Sequence, residues 1–356
     1  NFTNNNWFSM KIKKVIKSNI SNVDFKNLNF GSVFSDHMFS CSYKNGKWTN
    51  AQIKPYQPIR ISPSARVFHY GQACFEGMKA FKDKKNKIWL FRPKDNYKRI
   101  VKSSERLAMP CISEKLFIDA LKILINLDKD WVKPGLGNSL YIRPFIFADE
   151  PSINATEADE YKFMIICAPA KSYYSGDVKV KFENSFSRAA KGGVGYAKAA
   201  GNYAAQFYPT KLSREQGFQQ IIWTDSNNHE YIEEAGTMNL FFRIGNKLLT
   251  APTSDSILDG ITRKSLIEIA NKEEIDVEVR PIKVDEIINA SKKGELKEIF
   301  GSGTAVVVLP IVGFGYKNKI YDLPKTDDSF ASYFKKKLND IQYNISNDCY
   351  GWRFEV

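Results

Sequence analysis

The chain has 356 residues, of which 43% are hydrophobic and 26% charged, so it is long enough for two hydrophobic cores and does not have the composition of a disordered protein. Lys and Arg outnumber Asp and Glu by 52 to 39, but the lysines form short clusters and no long basic tail, which argues against nucleic-acid binding as a main function. Five widely spaced cysteines and three histidines argue against a disulfide framework, a zinc site and a Ser-His-Asp triad. The sequence contains no apolar run of about 18 residues, so we expect no membrane-spanning helix.

The first third of the chain has the pattern of strands and hairpins. Residues 34–43 are rich in β-formers, and Asn45-Gly46 follows them as a hairpin turn signal. The same pattern predicts strands over Arg66–Tyr70 and Ile88–Phe91. We therefore expect this region to begin a sheet.

Two helices are predicted next. Pro93 suits the first position of a helix that we expect to end near Leu107. A second helix is predicted from Ser113-Glu114, and apolar residues at helical spacing give it one buried face, namely Phe117, Ala120, Leu121 and Leu124. Strands over 139–147 and 161–168 complete an α+β pattern for the first half.

The second half changes composition after a short linker. We expect a first domain over residues 1–171, a linker over 172–186 and a second domain over 187–356. Further strands are predicted at Val178–Phe182, Gln220–Thr224, Met238–Arg243 and Lys247–Leu249. Further helices are predicted near Ile261, Val284 and Asp328.

A glycine-rich segment surrounds one lysine. Gly192, Gly193, Gly195 and Gly201 crowd around Lys198. Small neighbours would let the lysine reach a cofactor aldehyde, provided that burial or a nearby cation lowers its basicity. On this segment alone, a surface lysine in a flexible loop is the favoured interpretation.

A second segment places a carboxylate before a small-residue turn. Glu233-Glu234 precedes Ala235-Gly236-Thr237, which leads into an apolar strand. A buried carboxylate needs a partner, and a protonated pyridine nitrogen would be one. Two solvated glutamates in an ordinary turn are about equally plausible when the segment is considered by itself.

Two further turns could bind an anion. Gly260 precedes a predicted helix, whose first N–H groups lack intrahelical partners. Gly301-Ser302-Gly303 enters an apolar run and could also present N–H groups. Either segment could equally be an ordinary turn.

Taken together and in order, these segments resemble the class IV aminotransferases, which have fold type IV among pyridoxal-phosphate enzymes. Within that class the sequence is most similar to the branched-chain amino-acid aminotransferases. The resemblance extends from about Asn29 to about Tyr343. Its most specific stretches are 70–80, 141–144, 198–203 and 234–239. It implies a two-domain mixed α and β fold with the cofactor, pyridoxal 5'-phosphate, at the domain interface.

The resemblance also implies roles for individual residues around the cofactor. Lys198 matches the Schiff-base lysine, which also moves the proton of the substrate. Tyr203 matches the tyrosine on the phenolic oxygen, and Glu234 the carboxylate on the pyridine nitrogen. Arg99 matches the phosphate-binding arginine, whose planar fork suits a phosphate. Further phosphate contacts are implied for the backbone amides of Ile261 and Thr262 and for the hydroxyl of Thr304.

Substrate contacts are implied in the same way. Thr304 and Ala305 match the turn that takes the α-carboxylate, and Arg143 matches the residue that receives the distal carboxylate of glutamate. An aromatic pocket for the branched side chain is implied for Phe30, Tyr70, Phe75, Tyr141 and Tyr173. Without the surrounding motifs, core packing would be the favoured interpretation of these aromatic residues.

The resemblance therefore implies transamination of leucine, isoleucine and valine with 2-oxoglutarate. It implies a homodimer or higher oligomer, and we expect a cytoplasmic enzyme with neither nucleic-acid nor membrane partners. A D-amino-acid aminotransferase or an aminodeoxychorismate lyase would share the cofactor residues and is the alternative within the fold. A basic binding protein built on an old enzyme fold is the alternative outside it.

Overall fold

The structure is a computed structural model that describes residues 10–171 and 176–356. The helices of these residues are α1 (Arg66–Tyr70), α2 (Pro93–Arg106), α3 (Glu114–Leu127), α4 (Ala200–Glu215), α5 (Ile261–Lys272), α6 (Val284–Lys292) and α7 (Phe330–Gln342). The strands up to the gap are β1 (Lys11–Ile12), β2 (His37–Lys44), β3 (Lys47–Pro55), β4 (Ala73–Phe75), β5 (Met78–Lys82), β6 (Ile88–Phe91), β7 (Ser139–Ala148) and β8 (Tyr161–Ala170). The strands after it are β9 (Lys179–Phe182), β10 (Gln220–Thr224), β11 (Ile232–Ala235), β12 (Asn239–Ile244), β13 (Lys247–Thr250), β14 (Val277–Val279), β15 (Leu296–Gly303), β16 (Val307–Ile311), β17 (Gly313–Tyr316), β18 (Lys319–Asp322) and β19 (Arg353–Glu355).

The described residues form two compact units. The first comprises residues 10–171 and 342–356, and the second comprises residues 176–341. Residues 342–356 were predicted to belong to the second domain. The structure groups them with the first unit because β19 pairs antiparallel with β6, and because the Tyr343 hydroxyl donates to the carbonyl of Asn138 over 2.7 Å.

A nine-stranded sheet organises the first unit. Its strand order is β1-β3-β2-β8-β7-β5-β6-β19, and β4 pairs with the end of β7. Helix α3 packs on this sheet: Phe117 is fully buried and stacks on Phe163 of β8 at 6.2 Å between ring centroids. Ser113 caps the helix by accepting from the Leu116 amide, which confirms the predicted start.

One predicted strand in this unit is wrong. Residues Arg66–Tyr70 form the short helix α1, which ends at Gly71 with φ +62°. The apolar pattern of a five-residue segment does not separate strand from helix, so distant contacts decide. The Arg66 guanidinium donates to the Glu150 carboxylate and to the carbonyls of Thr156 and Glu157, and these bonds anchor the helix.

Two five-stranded sheets organise the second unit. Their orders are β11-β10-β9-β17-β18 and β14-β13-β12-β15-β16. Buried side chains from both sheets share one core with helix α6, including Val180, Ile222, Phe242 and Ile287. Of the candidate site residues in this unit, Glu234 lies in β11 and Thr304 between β15 and β16, whereas Lys198 precedes α4 and Ile261 begins α5.

Within residues 10–171 and 176–356, no helix is long and apolar enough to cross a membrane. The five cysteines are free thiols, and Cys41, Cys74 and Cys167 are buried as predicted.

Candidate active site

Lys198 lies two residues before helix α4 and contacts a tyrosine of that helix. Its Nζ donates to the hydroxyl of Tyr203 over 2.8 Å. The backbone before the lysine is held by Asn202, whose Nδ2 donates to the carbonyls of Val194 and Ala197, each at 2.9 Å. The lysine is therefore a half-buried residue in a braced turn and not a surface residue in a flexible loop.

Glu234 is buried in β11 and has defined partners on both oxygens. Oε1 lies 2.8 Å from Nη1 of Arg188. Oε2 accepts from Asn239 Nδ2 at 3.2 Å and from the Leu258 amide at 3.3 Å. The guanidinium and the two N–H donors favour the ionised carboxylate. A turn with two solvated glutamates is thereby excluded.

The start of helix α5 lies against the same network. Gly260 precedes the helix without a side-chain cap, and a Cβ on it would lie 1.9 Å from Asn239 Oδ1. Ile261 and Thr262 occupy the first turn and are buried. The first amides of a helix lack intrahelical acceptors, so this end can bind an anion.

The turn that contains Thr304 and Ala305 joins β15 to β16. Both residues are half-buried. A Cβ on Gly303 would approach the Thr237 carbonyl to 3.2 Å, and a Cβ on Gly301 would meet the Met238 sulfur at 2.5 Å. The turn therefore packs closely on the residues that follow Glu234.

In the first unit, Arg99 of α2 forms a buried ion pair with Glu76. Its Nε lies 2.7 Å from Glu76 Oε1, and its Nη2 lies 2.9 Å from Oε2. Glu76 is completely buried and also accepts from Asn96 Nδ2 at 2.7 Å. This pair fixes the direction of the arginine.

Four of the predicted substrate residues form one cluster in the first unit. Phe30 meets Tyr141 edge-on at 4.9 Å between centroids. The Arg143 guanidinium lies 4.4 Å from the Phe75 ring centroid and donates to the Tyr141 hydroxyl over 2.8 Å. Tyr70 makes other contacts, because its hydroxyl donates to the Ile153 carbonyl. Tyr173 lies outside the described residues.

Comparisons with known proteins identify the family. The family model "Amino-transferase class IV" matches residues 73–314. A probable branched-chain-amino-acid aminotransferase of Staphylococcus epidermidis is 42% identical over 342 residues, which cover 94% of each chain. Branched-chain-amino-acid transaminase 1 of Bacillus subtilis is also 42% identical, over 94% of this chain and 95% of its own. The chain belongs to the branched-chain-amino-acid aminotransferase family of class IV.

The fold agrees with a solved member of that family. The branched-chain amino acid aminotransferase of Thermobaculum terrenum, in its PLP form, superposes with a TM-score of 0.73 at 17% identity. The superposition covers 90% of this chain and 98% of that one. The predicted fold class, a mixed α and β fold-type IV enzyme, is therefore confirmed.

A second buried carboxyl group lies next to Glu234 in this aminotransferase. Glu233 Oε1 accepts from Ser256 Oγ at 2.5 Å, and Oε2 is buried with no hydrogen-bond partner among the described residues. Burial is the main cause that raises the pKa of Glu233 from 4.5 to about 7, and the neighbouring Glu234 charge adds to it.

This shift predicts a pH-dependent stability. Between pH 4.5 and 7 the unfolded chain loses the Glu233 proton while the folded enzyme retains it, so the folded state loses stability as pH rises. The loss amounts to about 3 kcal/mol for a shift of this size. Glu233→Gln should remove that part of the pH dependence in urea unfolding at pH 5 and pH 8. Glu215 is exposed, so Glu215→Gln should retain the pH dependence of the wild type. Equal pH dependence in the wild type and both variants would contradict the raised pKa of Glu233.

Gly195 allows the lysine segment to approach the turn before α5. A Cβ on it would lie 2.7 Å from the Ser256 Cα and 2.8 Å from the Asp255 carbonyl. Gly195→Ala should lower the free energy of unfolding by about 1–3 kcal/mol because backbone atoms must move. Gly201→Ala is the control, since open space surrounds that position in α4 and alanine favours a helix by roughly 0.5–1 kcal/mol. Equal stability of the two variants in urea unfolding would refute the close approach.

Sequence reasoning missed several residues that support this site. Arg188 and Ser256 carried no motif, and Glu76, Asn202 and Asn239 were noted only as parts of matching stretches. Glu76 bonds Arg99, Arg188 bonds Ser256, and Ser256 bonds Glu233, in each case across more than 20 residues, so local spacing does not predict these contacts.

Proposed function

We propose that this enzyme transfers the amino group of L-leucine, L-isoleucine or L-valine to 2-oxoglutarate, with pyridoxal 5'-phosphate as cofactor and Lys198 as the residue that carries it. The observation that carries this proposal is the contact of Lys198 Nζ with the Tyr203 hydroxyl, in the same unit as the paired carboxylate of Glu234. Relatives at 42% identity are named as a probable branched-chain-amino-acid aminotransferase and a branched-chain-amino-acid transaminase, which supports the proposal.

The donor set fits that cofactor. The cofactor has an aldehyde, a phenolic oxygen, a ring nitrogen and a phosphate, and each needs a different partner. An amine and a phenol lie together at Lys198 and Tyr203, and Glu234 supplies an ionised carboxylate for the ring nitrogen. The phosphate would be held by the first amides of α5 at Ile261 and Thr262.

Two further residues are assigned to the phosphate. Arg99 would bind it as a planar cation, and the ion pair with Glu76 would hold its guanidinium in a fixed direction. Thr304, in the β15–β16 turn, would add its hydroxyl.

When bound, pyridoxal 5'-phosphate supplies an aldehyde that exchanges between amines and a ring that takes up the electrons released from the substrate α-carbon. With the cofactor bound, Lys198 Nζ would take the α-proton of the substrate and deliver it to the cofactor carbon bonded to the same nitrogen. The Tyr203 hydroxyl, which accepts from Lys198 Nζ in this structure, would bind the phenolic oxygen of the cofactor. Glu234 would hold the proton on the ring nitrogen, which lets the ring accept those electrons.

The residues that we assign to the substrate belong to the first unit and to one turn of the second. Phe30, Phe75 and Tyr141 would cover an aliphatic side chain, whose burial contributes about 1.5–3 kcal/mol. The buried Nε of Arg143 has no hydrogen-bond partner among the described residues, which suits a residue that awaits the distal carboxylate of glutamate. Tyr70 and Tyr173 are assigned to the same pocket, and Thr304 and Ala305 to the α-carboxylate.

The test measures the absorption spectrum of the purified protein and its aminotransferase activity. We expect a visible band that borohydride abolishes, a reduced adduct that maps to Lys198, and turnover of the three branched L-amino acids with 2-oxoglutarate. D-alanine in place of L-leucine is the control for the D-amino-acid aminotransferase alternative. Absence of the band would refute the cofactor assignment, and preference for D-alanine would refute the substrate assignment.

We also propose that the enzyme is a homodimer. Phe68 and Ile153 are 59% and 66% exposed and lie beside Tyr70, so this part of the first unit presents large apolar side chains to solvent. Sedimentation equilibrium should give about twice the chain mass of 40.7 kDa, and a monomer at micromolar concentration would refute the proposal.

The five free thiols suit a reducing compartment, and we propose that the enzyme is cytoplasmic.

A further inference from the structure

Arg188 lies where three segments of the second unit meet. Its side chain is 3% exposed. Nη1 donates to the Ser256 carbonyl over 2.9 Å, and Nη2 donates to the Gly195 carbonyl over 3.2 Å. The guanidinium thus connects the segment before Lys198 with the turn before helix α5.

The third segment is β11, through the ion pair with Glu234. Nη1 of Arg188 lies 2.8 Å from Glu234 Oε1, and both side chains are at most 5% exposed. A carboxylate in such a dry place retains its charge only beside a cation or strong donors. Asn239 and the Leu258 amide are neutral donors, whereas Arg188 brings a positive charge into direct contact with Glu234.

We propose that Arg188 is a positioning residue for amino transfer, which keeps Glu234 ionised and aligns it with the segments that carry Lys198 and the phosphate site. The proposal rests on the proposed function, because it requires that Glu234 serve the ring nitrogen of the cofactor. If Glu234 were a neutral acid it would keep its own proton, and the ring nitrogen would lose the anion that holds it protonated. Arg188 prevents this by stabilising the negative charge.

The surrounding charges make this role necessary. Glu233 precedes Glu234, and its Oε1 accepts from Ser256 Oγ, so a second carboxyl group faces the same turn. Asp225 is a further negative group that raises the pKa of Glu233, and the charge of Arg188 acts in the opposite direction. Two adjacent buried carboxyl groups disfavour each other's ionisation, and Arg188 is the cation placed against Glu234.

The direct test is ¹⁵N NMR of enzyme reconstituted with ring-¹⁵N pyridoxal phosphate. In the wild type we expect the ring nitrogen to remain protonated up to high pH. In Arg188→Met we expect a smaller protonated fraction of the ring nitrogen, because Glu234 then keeps the proton, with kcat about 10- to 100-fold lower, as for other residues that orient a ligand of the reacting group, and with KM for leucine little changed. Arg188→Lys should restore much of the ¹⁵N signal because it keeps the charge, and less of kcat because it lacks the planar fork.

A double-mutant cycle shows whether Arg188 acts through Glu234. Once Glu234→Gln has removed the carboxylate, Arg188→Met should lower kcat no further than about twofold. If the two substitutions lowered kcat independently, so that their fold-changes multiplied in the double variant, the proposal would be overturned.

Arg243→Met is the matched control for loss of a buried arginine. Arg243 pairs with Glu298 at 3.0 Å, with side chains 4% and 9% exposed, so its removal should destabilise the fold to a similar degree. It should leave the ¹⁵N titration unchanged.

The outcomes separate the inference from the function on which it rests. A wild type with no borohydride-reducible adduct contradicts the proposed function. A wild type with that adduct, together with an Arg188→Met variant whose ¹⁵N titration and kcat match it, overturns the role of Arg188 alone. If Arg188→Met does not fold, Arg188→Lys decides. A ¹⁵N titration of the ring nitrogen and a kcat that both equal those of the wild type would show that a positive charge is sufficient, and would overturn the alignment role.

Discussion

Replacement of Lys198 with alanine should lower turnover of L-leucine at least about 10³-fold. The variant loses both the amine that carries the cofactor and the base that moves the α-proton, and proton transfer alone accounts for about 10²–10⁴-fold. The visible band should no longer be trapped by borohydride on the protein. Steady-state rates together with mass spectrometry of the reduced protein would measure both effects.

The matched control for this variant is Lys191→Ala. Lys191 lies in the same glycine-rich segment but is exposed. Its replacement should leave turnover and the reduced adduct unchanged. If Lys198→Ala kept wild-type turnover, or if Lys191→Ala removed the adduct, the assignment of the cofactor lysine would be wrong.

Glu76→Gln should destabilise the cofactor-free protein by about 3–5 kcal/mol, since it removes the buried carboxylate that compensates the Arg99 charge. Glu76 is completely buried, and both its oxygens bond the guanidinium at 2.7 and 2.9 Å. Urea unfolding of the variant measures the loss. Lys115→Ala is the control: it breaks an exposed pair with Asp119 on α3 and should change stability by less than about 1 kcal/mol.

The double variant Glu76→Leu/Arg99→Met separates stability from cofactor binding. Apolar residues of similar volume often replace a buried ion pair without loss of stability, so much of the unfolding free energy should return. Affinity for pyridoxal 5'-phosphate should still fall relative to affinity for pyridoxal, because the phosphate has lost Arg99. A double variant that kept the wild-type ratio of the two affinities would contradict the role proposed for Arg99.

Local sequence patterns predicted elements whose determinants lie within a few residues. The buried face of α3 was read from spacing alone, and Phe117, Ala120, Leu121 and Leu124 are all completely buried. Pro93 begins α2 as predicted, and the Lys198–Tyr203 contact joins residues close together in the chain. The strand predicted over Arg66–Tyr70 was wrong because a pattern of only five residues fits strand and helix alike, and bonds from Arg66 to residues 150–157 selected the helix.

The sequence by itself predicted most helices and strands from short-range spacing, and its resemblance to the class IV aminotransferases implied the family and the cofactor. Only the tertiary structure decided how charges are compensated: it places Arg188 against Glu234 and Glu76 against Arg99, and it buries Glu233 Oε2 with no hydrogen-bond partner among the described residues. It also decided that residues 342–356 return to the first unit. A buried charge selects its partner by distance in space and by exclusion of water, and neither quantity can be read from positions along the chain.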